Sequence, residues 1–163
     1  MISMLASLNP KQVLEGKKNT FMACNDVLWM NFDSTSNGIA HFSQFIDFIK
    51  RSWMIKDADF MNIKTVLSEA VLNAVDHGNK REEGKSVYVN ARREGEHYAF
   101  TIEDEGEGFS PHRIENPTDK KNRDKPCGRG IFIMTYLSDD VQFSEGGTCV
   151  RLLFRGARFY QNF

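Results

Sequence analysis

The chain has 163 residues, which is enough for one domain with a sizeable apolar core. Apolar residues make up 40% of it and charged residues 26%, as in ordinary globular proteins, and the formal net charge is −1. A net charge so close to zero argues against broad attraction to nucleic acid or to a membrane surface, so we expect neither as a partner. The cysteines lack metal-ligand spacing and residues 1–8 lack a signal-peptide pattern, which favours a cytoplasmic protein.

The first part of the chain predicts a strand segment followed by a helix. Residues 1–20 are interpreted as an appendage, and residues 21–163 as the domain proper. Large apolar residues recur from Phe21 to Phe32, which indicates either one bent strand or a hairpin. A helix ending near Trp53 should follow, because three consecutive residues before it can act as N-caps: Ser34, Thr35 and Ser36.

The remaining pattern predicts one more long helix and then mostly strands. The helix runs from about Asp57 to His77, with Gly78-Asn79 as its stop. Further elements, from alternation and turn residues, are strands over 86–93 and 97–103 joined at Gly95, a helix over 130–137, and strands over 141–144 and 148–155. The sum is an α+β fold, a two-layer sandwich whose mixed, mostly antiparallel sheet carries helices on one face.

A polar stripe follows the second long helix. Glu69, Asn73 and His77 are four residues apart, and each four-residue step rotates only about 40° around a helix. A solvated face is the ordinary reason for such a stripe. Asn is a poor helix former in mid-helix, however, whereas a Glu with an Asn one turn on can deprotonate a hydroxyl and ligate Mg²⁺.

A first glycine segment follows the strand that ends near Glu103. Asp104 is followed by Gly106 and Gly108, and glycines at this spacing allow a tight turn and let a ligand approach the backbone. A plain turn is the commoner reason for such a sequence. The acidic residues make it a poor phosphate cradle, but Asp104 is suited to accept a hydrogen bond from the amino group of a nucleotide base.

A second glycine segment directly precedes the predicted helix over 130–137. Gly128, Arg129 and Gly130 would place backbone N–H groups and the positive end of a helix dipole toward an anion such as phosphate. Basic residues crowd the stretch before it: Lys120, Lys121, Arg123 and Lys125. A solvated loop and a lid that closes over phosphates both explain that charge.

In this order and spacing, the segments resemble the nucleotide-binding motifs of the GHKL superfamily of ATPases. Residues 67–78, which contain the stretch SEAVLNAVDHG, are similar to the N-box, residues 104–109 to the first glycine box, and residues 128–134 to the second. The later Gly146-Gly147-Thr148 matches a fourth element, and the resemblance covers roughly residues 33–155. The short lid region and the N-box sequence are most similar to those of bacterial anti-sigma-factor serine kinases.

The resemblance implies a role for each matching residue, with ATP and Mg²⁺ as cofactors. Glu69 would be the general base, and Asn73 would ligate Mg²⁺. Asp104 would bind adenine. The other nucleotide contacts implied are His77, Gly106, Gly108, Phe109, Gly128, Arg129, Gly130, Ile131 and Thr148.

The partners that the resemblance implies are a sigma factor and an anti-anti-sigma protein of the STAS class, phosphorylated on serine. It also favours a homodimer. One departure is Pro126, where some relatives carry a phosphate-binding arginine. That departure keeps open an alternative, a nucleotide-binding regulatory or scaffold module without phosphotransfer. The catalytic half of a histidine kinase, with His41 as phosphoacceptor, is rejected because His41 lies among apolar residues and no acidic residue directly follows it.

Overall fold

The computed structural model describes residues 19–108 and 129–156. Phe109, Pro126, Gly128 and the basic stretch before them lie outside these residues. The helices and strands in chain order are β1 (Thr20–Cys24), β2 (Val27–Asp33), α1 (Ser36–Trp53), α2 (Asp57–Asn73), β3 (Ser86–Glu94), β4 (His97–Asp104), α3 (Arg129–Leu137), β5 (Asp140–Ser144) and β6 (Cys149–Arg155). Within the described ranges, no helix combines the length and apolarity needed to cross a bilayer.

The strands form a six-stranded sheet in the order β1-β2-β3-β4-β6-β5. Each pair of neighbouring strands is antiparallel. The segment from Phe21 to Phe32 is therefore a hairpin and not one bent strand, with its turn at Asn25, whose φ is 52°. Asn tolerates that left-handed conformation better than most residues. The predicted α+β class with an antiparallel-rich sheet is confirmed.

One face of the sheet carries the core. Val87 and Ala91 of β3 and Phe100 of β4 are fully buried, as their alternation with polar residues predicts. The helices cover this face: the indole of Trp53, at the end of α1, stacks on Tyr98 with ring centroids 5.8 Å apart. Burial of this apolar surface supplies most of the stability of the domain.

Local hydrogen bonds define both ends of helix α1. The Thr35 hydroxyl caps the first turn by accepting a hydrogen bond from the Gly38 N–H at 3.2 Å. At the other end Met54 takes a left-handed conformation, and its N–H donates to the last turn of α1. The predicted N-cap cluster is thus correct, with Thr35 as the capping residue.

The end of α2 differs from the prediction. Regular α-helix ends at Asn73 and continues as a single π-helical turn, Ala74–Gly78. The left-handed residues that turn the chain away are Lys80 (φ 55°) and Arg81 (φ 53°), not Gly78. Gly78-Asn79 marks the end of the helix but does not turn the chain. The presence of Gly and Asn at these two positions therefore needs another physical explanation.

Replacing Phe100 with Ala tests the core. The Phe100 ring is 0% exposed and packs edge-on against Phe154, so truncation leaves a cavity in the middle of the sheet. We expect a loss of roughly 3–5 kcal/mol in the free energy of unfolding, measured by chemical denaturation. Phe132→Ala is the control, because that ring is 39% exposed and its loss should cost much less. Equal losses would contradict this description of the core.

Candidate functional site

The polar stripe of α2 meets the first turn of α3. A β-carbon placed on Gly130 would lie 2.8 Å from Glu69 Oε2 and 3.1 Å from Asn73 Nδ2. The main chain at Gly130 therefore lies directly against both side chains, and any other residue would push them away. Glu69 and Asn73 are half-buried, as residues lining a cleft would be.

The start of α3 also supplies a favourable field for an anion. Its first N–H groups have no partner within the helix, and the helix dipole is positive at that end. Arg129, at the first position, is exposed and adds a full positive charge. The Ile131 side chain packs against the core, so a ligand contact at this residue would come from its main chain. This end of the site suits phosphate.

A second group of predicted residues meets farther along the chain, at the π-helical turn that follows α2. Asp104, at the end of β4, is only 9% exposed, and its Oδ1 accepts a hydrogen bond from the Gly106 N–H at 2.8 Å. A β-carbon on Gly78 would collide with the Asp104 carboxylate, and one on Gly106 would collide with the Gly78 carbonyl. Gly78 is thus required for close packing of the helix end on Asp104, which accounts for its place in the sequence.

The first glycine segment packs on the turn before β6. Gly108 has a φ of 75°, and a β-carbon there would collide with the Gly146 carbonyl and lie 3.2 Å from the Thr148 methyl group. The Thr148 carbonyl accepts the Asp104 N–H at 2.9 Å. Thr148 therefore adjoins both Asp104 and Gly108, as the predicted grouping requires.

The structure brings the described candidates together as two groups on one helix. Glu69 and Asn73 lie in the last part of α2, and Gly78 ends the π-helical turn that follows, so the two groups lie on the order of 10 Å apart along the helical segment. His77 is exposed and lies just before Gly78. An acid and an amide at one end and a buried carboxylate at the other can hold an elongated ligand with chemically different ends.

One buried polar residue beside this site was not predicted from the sequence. Asn79 is 0% exposed, and its side chain makes three hydrogen bonds, to Ser34, Ser86 and Glu105. The signal available in the sequence, Gly-Asn after a helix, is typical of a helix stop and conceals this role. Two of its partners, Ser34 and Glu105, lie 45 and 26 residues away in sequence, so only the fold reveals this role.

Comparison with known proteins gives the class first. A family model described as "Histidine kinase-like ATPase domain" matches residues 34–154, close to the range predicted from the motifs. The chain belongs to this family, and ATP is the nucleotide that it uses.

The relatives narrow the class. An anti-sigma F factor from Bacillus subtilis is 38% identical over 102 residues, which cover 58% of this chain and 68% of that protein. The anti-sigma F factor of Bacillus velezensis is 36% identical over 101 residues with the same coverage. A "Serine-protein kinase RsbW" from Oceanobacillus iheyensis is 28% identical over 90 residues, 52% of this chain and 57% of that protein. The predicted likeness to anti-sigma-factor serine kinases is confirmed.

Gly78→Ala tests the close packing at the Asp104 end. The added methyl group would displace the carboxylate, so we expect ATP affinity to fall by tenfold or more in a protein that still folds. Isothermal titration calorimetry measures the affinity and circular dichroism the fold. Gly95→Ala is the control: a β-carbon there meets nothing within 4 Å, and the strain of an alanine at a φ of 63° should lower stability at the β3–β4 turn without changing ATP affinity. Retention of full ATP affinity in Gly78→Ala would contradict the assigned role.

Proposed function

We propose that this chain is an ATP-dependent protein serine kinase and anti-sigma factor that phosphorylates an anti-anti-sigma partner of the STAS class. The observation that carries the proposal is the contact of Gly130 with both Glu69 and Asn73, while Asp104 is held at Gly78, in the π-helical turn that follows α2. A nucleotide bound along α2 would have its base at one group and its phosphates at the other. The names of the relatives support the same activity.

Asp104 is the group that recognises the base. Its carboxylate accepts a hydrogen bond from the adenine amino group, and its low exposure makes that bond selective, because a base without the amino group would offer the carboxylate no such donor. Gly106 and Gly108 leave room for the ring beside the main chain, and Thr148 supports that side of the pocket. Phe109 belongs to the same proposed pocket by its place in the motif.

Asn73 and the start of α3 hold the phosphates. The Asn73 amide oxygen is a ligand of the type that Mg²⁺ prefers, and Gly128, Arg129 and Gly130 offer main-chain N–H groups and a charge. Among the described residues no three His, Cys, Asp or Glu side chains cluster as a metal site. Mg²⁺ commonly takes one or two protein ligands plus phosphate oxygens, so one amide fits it, and the bound ion would neutralise phosphate charge.

Glu69 is proposed as the general base. As the partner's serine oxygen forms its bond to the γ-phosphorus and the bond to the bridging oxygen breaks, the serine proton passes to the Glu69 carboxylate. ADP leaves with the bridging oxygen. Positioning by Asn73 and the first turn of α3 supplies most of the rate, because phosphoryl transfer needs little covalent chemistry from the protein.

The partners are proposed from the same family likeness. A sigma factor would be bound as the regulated protein, and a STAS protein would be the phosphoacceptor. We expect the protein to bind both partners in the cytoplasm, as a homodimer. The alternative, a nucleotide-binding scaffold without transfer, rests on Pro126, two residues before the second glycine segment. Labelled ATP incubated with a STAS partner separates them, because only the kinase labels the partner.

Glu69→Gln tests the base. The amide keeps the shape of the carboxylate but takes no proton, so phosphate transfer to the STAS partner should fall by about 10²–10⁴-fold while ATP affinity changes little. Radiolabel transfer measures the first quantity and calorimetry the second. Glu83→Gln, at an exposed glutamate, is the control and should behave as the unmodified protein. An unchanged transfer rate in Glu69→Gln would remove Glu69 from this role.

Asp104→Asn tests base recognition. One oxygen can still accept from Gly106, but the amide nitrogen that replaces the other faces the adenine amino group as a second donor. We expect a loss of about 10-fold to 150-fold in ATP affinity, the range of a hydrogen bond to a charged group. Glu107→Gln alters an exposed acid of the same loop and is the control. Comparable affinities for the two variants would refute the assignment.

A further inference from the structure

The buried side chain of Asn79 forms a junction between four segments of the chain. Its Nδ2 donates to Ser34 Oγ at 2.8 Å and to the Ser86 carbonyl at 2.9 Å, and its Oδ1 accepts from the Glu105 N–H at 2.8 Å. The carbonyl and the N–H partners fix which end of the amide faces which way, because each has only one hydrogen-bonding sense. Every polar atom of this 0% exposed side chain is therefore used.

We propose that Asn79 is a positioning residue for nucleotide recognition, holding the turn that follows Asp104 against the end of α2. The bond from Glu105 N–H to Asn79 Oδ1 involves the peptide unit that directly follows Asp104. The Gly78–Asp104 contact lies one residue before Asn79. Asn79 thus sets the position of the main chain from which the recognising carboxylate projects. This inference rests on the proposed role of Asp104.

The other connections of this turn lead to the same junction. The Glu105 carboxylate accepts the Ser86 N–H at 2.7 Å and the Tyr88 hydroxyl at 3.2 Å, which attaches the turn to β3. Ser86 is also the residue whose carbonyl Asn79 binds. Asn79 and Glu105 therefore connect the turn to both α2 and β3, and burial together with the Glu105 charge raises the pKa of Tyr88.

The hydrogen bonds of Asn79 should contribute more to the position of this turn than the ion pair between Lys80 and Glu107 does. Lys80 Nζ lies 3.2 Å from Glu107 Oε2, but both side chains are exposed, and exposed ion pairs contribute little to stability. The Asn79 bonds to Ser34 and Ser86 are buried and the bond from the Glu105 N–H is partly buried. Removing the Asn79 amide would leave the Ser86 carbonyl and the Glu105 N–H without that partner where water replaces it poorly. The position of the turn depends on the buried residue.

The test compares ATP with purine riboside triphosphate, which lacks the 6-amino group of adenine. The unmodified protein should bind ATP at least tenfold more tightly, because only ATP offers Asp104 a donor. In Asn79→Ala the ratio of the two dissociation constants, measured by calorimetry well below the melting temperature, should fall to within about twofold of one, mainly through weaker ATP binding. A role confined to stability would lower the melting temperature and leave this ratio unchanged.

Ser34→Ala is the matched control. It removes the Asn79 partner farthest from the turn and leaves the bond to Glu105, so the ratio should remain at the unmodified value even if stability falls. Asn79→Ser is a second variant for the case in which Asn79→Ala does not fold. Its hydroxyl keeps a polar group in place but is too short to reach both Ser86 and Glu105, so the ratio should again collapse.

The outcomes separate the two claims. A high ratio in the unmodified protein that persists in the Asn79 variants overturns the positioning role and leaves Asp104 as the base-recognising group. A ratio near one in the unmodified protein overturns the base assignment, and the positioning role with it. A collapse confined to the Asn79 variants supports both.

Discussion

The close approach of the end of β4 to the end of α2 is the constraint on which the site depends. Asp104 can be buried there only because Gly78 and Gly106 have no side chains, and because the Gly106 N–H satisfies part of its hydrogen-bonding capacity. A buried carboxylate that lacked such partners would be strongly disfavoured. The π-helical turn Ala74–Gly78 brings the helix end into this position.

A second close approach defines the other end of the site. Gly130 places the first turn of α3 against Glu69 and Asn73, so the positive end of one helix faces the polar stripe of another. Both ends are therefore built from glycines in contact with α2, and α2 fixes the distance between them. One continuous helical segment, α2 with the π-helical turn that follows it, thus carries the contacts for both the base and the phosphates.

The sequence predicted the elements and the motifs better than the contacts between them. Strand alternation identified the core positions of β3 and β4, such as Val87 and Phe100, because burial on one face of a sheet leaves a period of two. It left the segment from Phe21 to Phe32 open between a hairpin and a bent strand, since both faces of β2 are rich in apolar residues and Asn25-Asp26 is a weak turn signal.

What the sequence concealed depends on contacts between distant residues. Gly78 and Asn79 had a sufficient local explanation as a helix stop, whereas the fold turns the chain at Lys80 and Arg81 and uses Gly78 and Asn79 to bind the Asp104 turn. Ser34 lies 45 residues from Asn79 in sequence, so no local pattern could have paired them. The lid residues and Pro126 lie outside the described part of the chain, and their predicted roles remain predictions.

The central claim is that a single nucleotide lies along α2 with its base at Asp104 and its phosphates at Asn73. Titration of ¹⁵N-labelled protein with adenosine and then with Mg²⁺·ATP tests it directly by amide chemical shifts. Adenosine should perturb Gly78 and Gly106 alone, and Mg²⁺·ATP should perturb these together with Asn73 and Gly130. Perturbation of only one group by Mg²⁺·ATP, or of neither, would contradict the account.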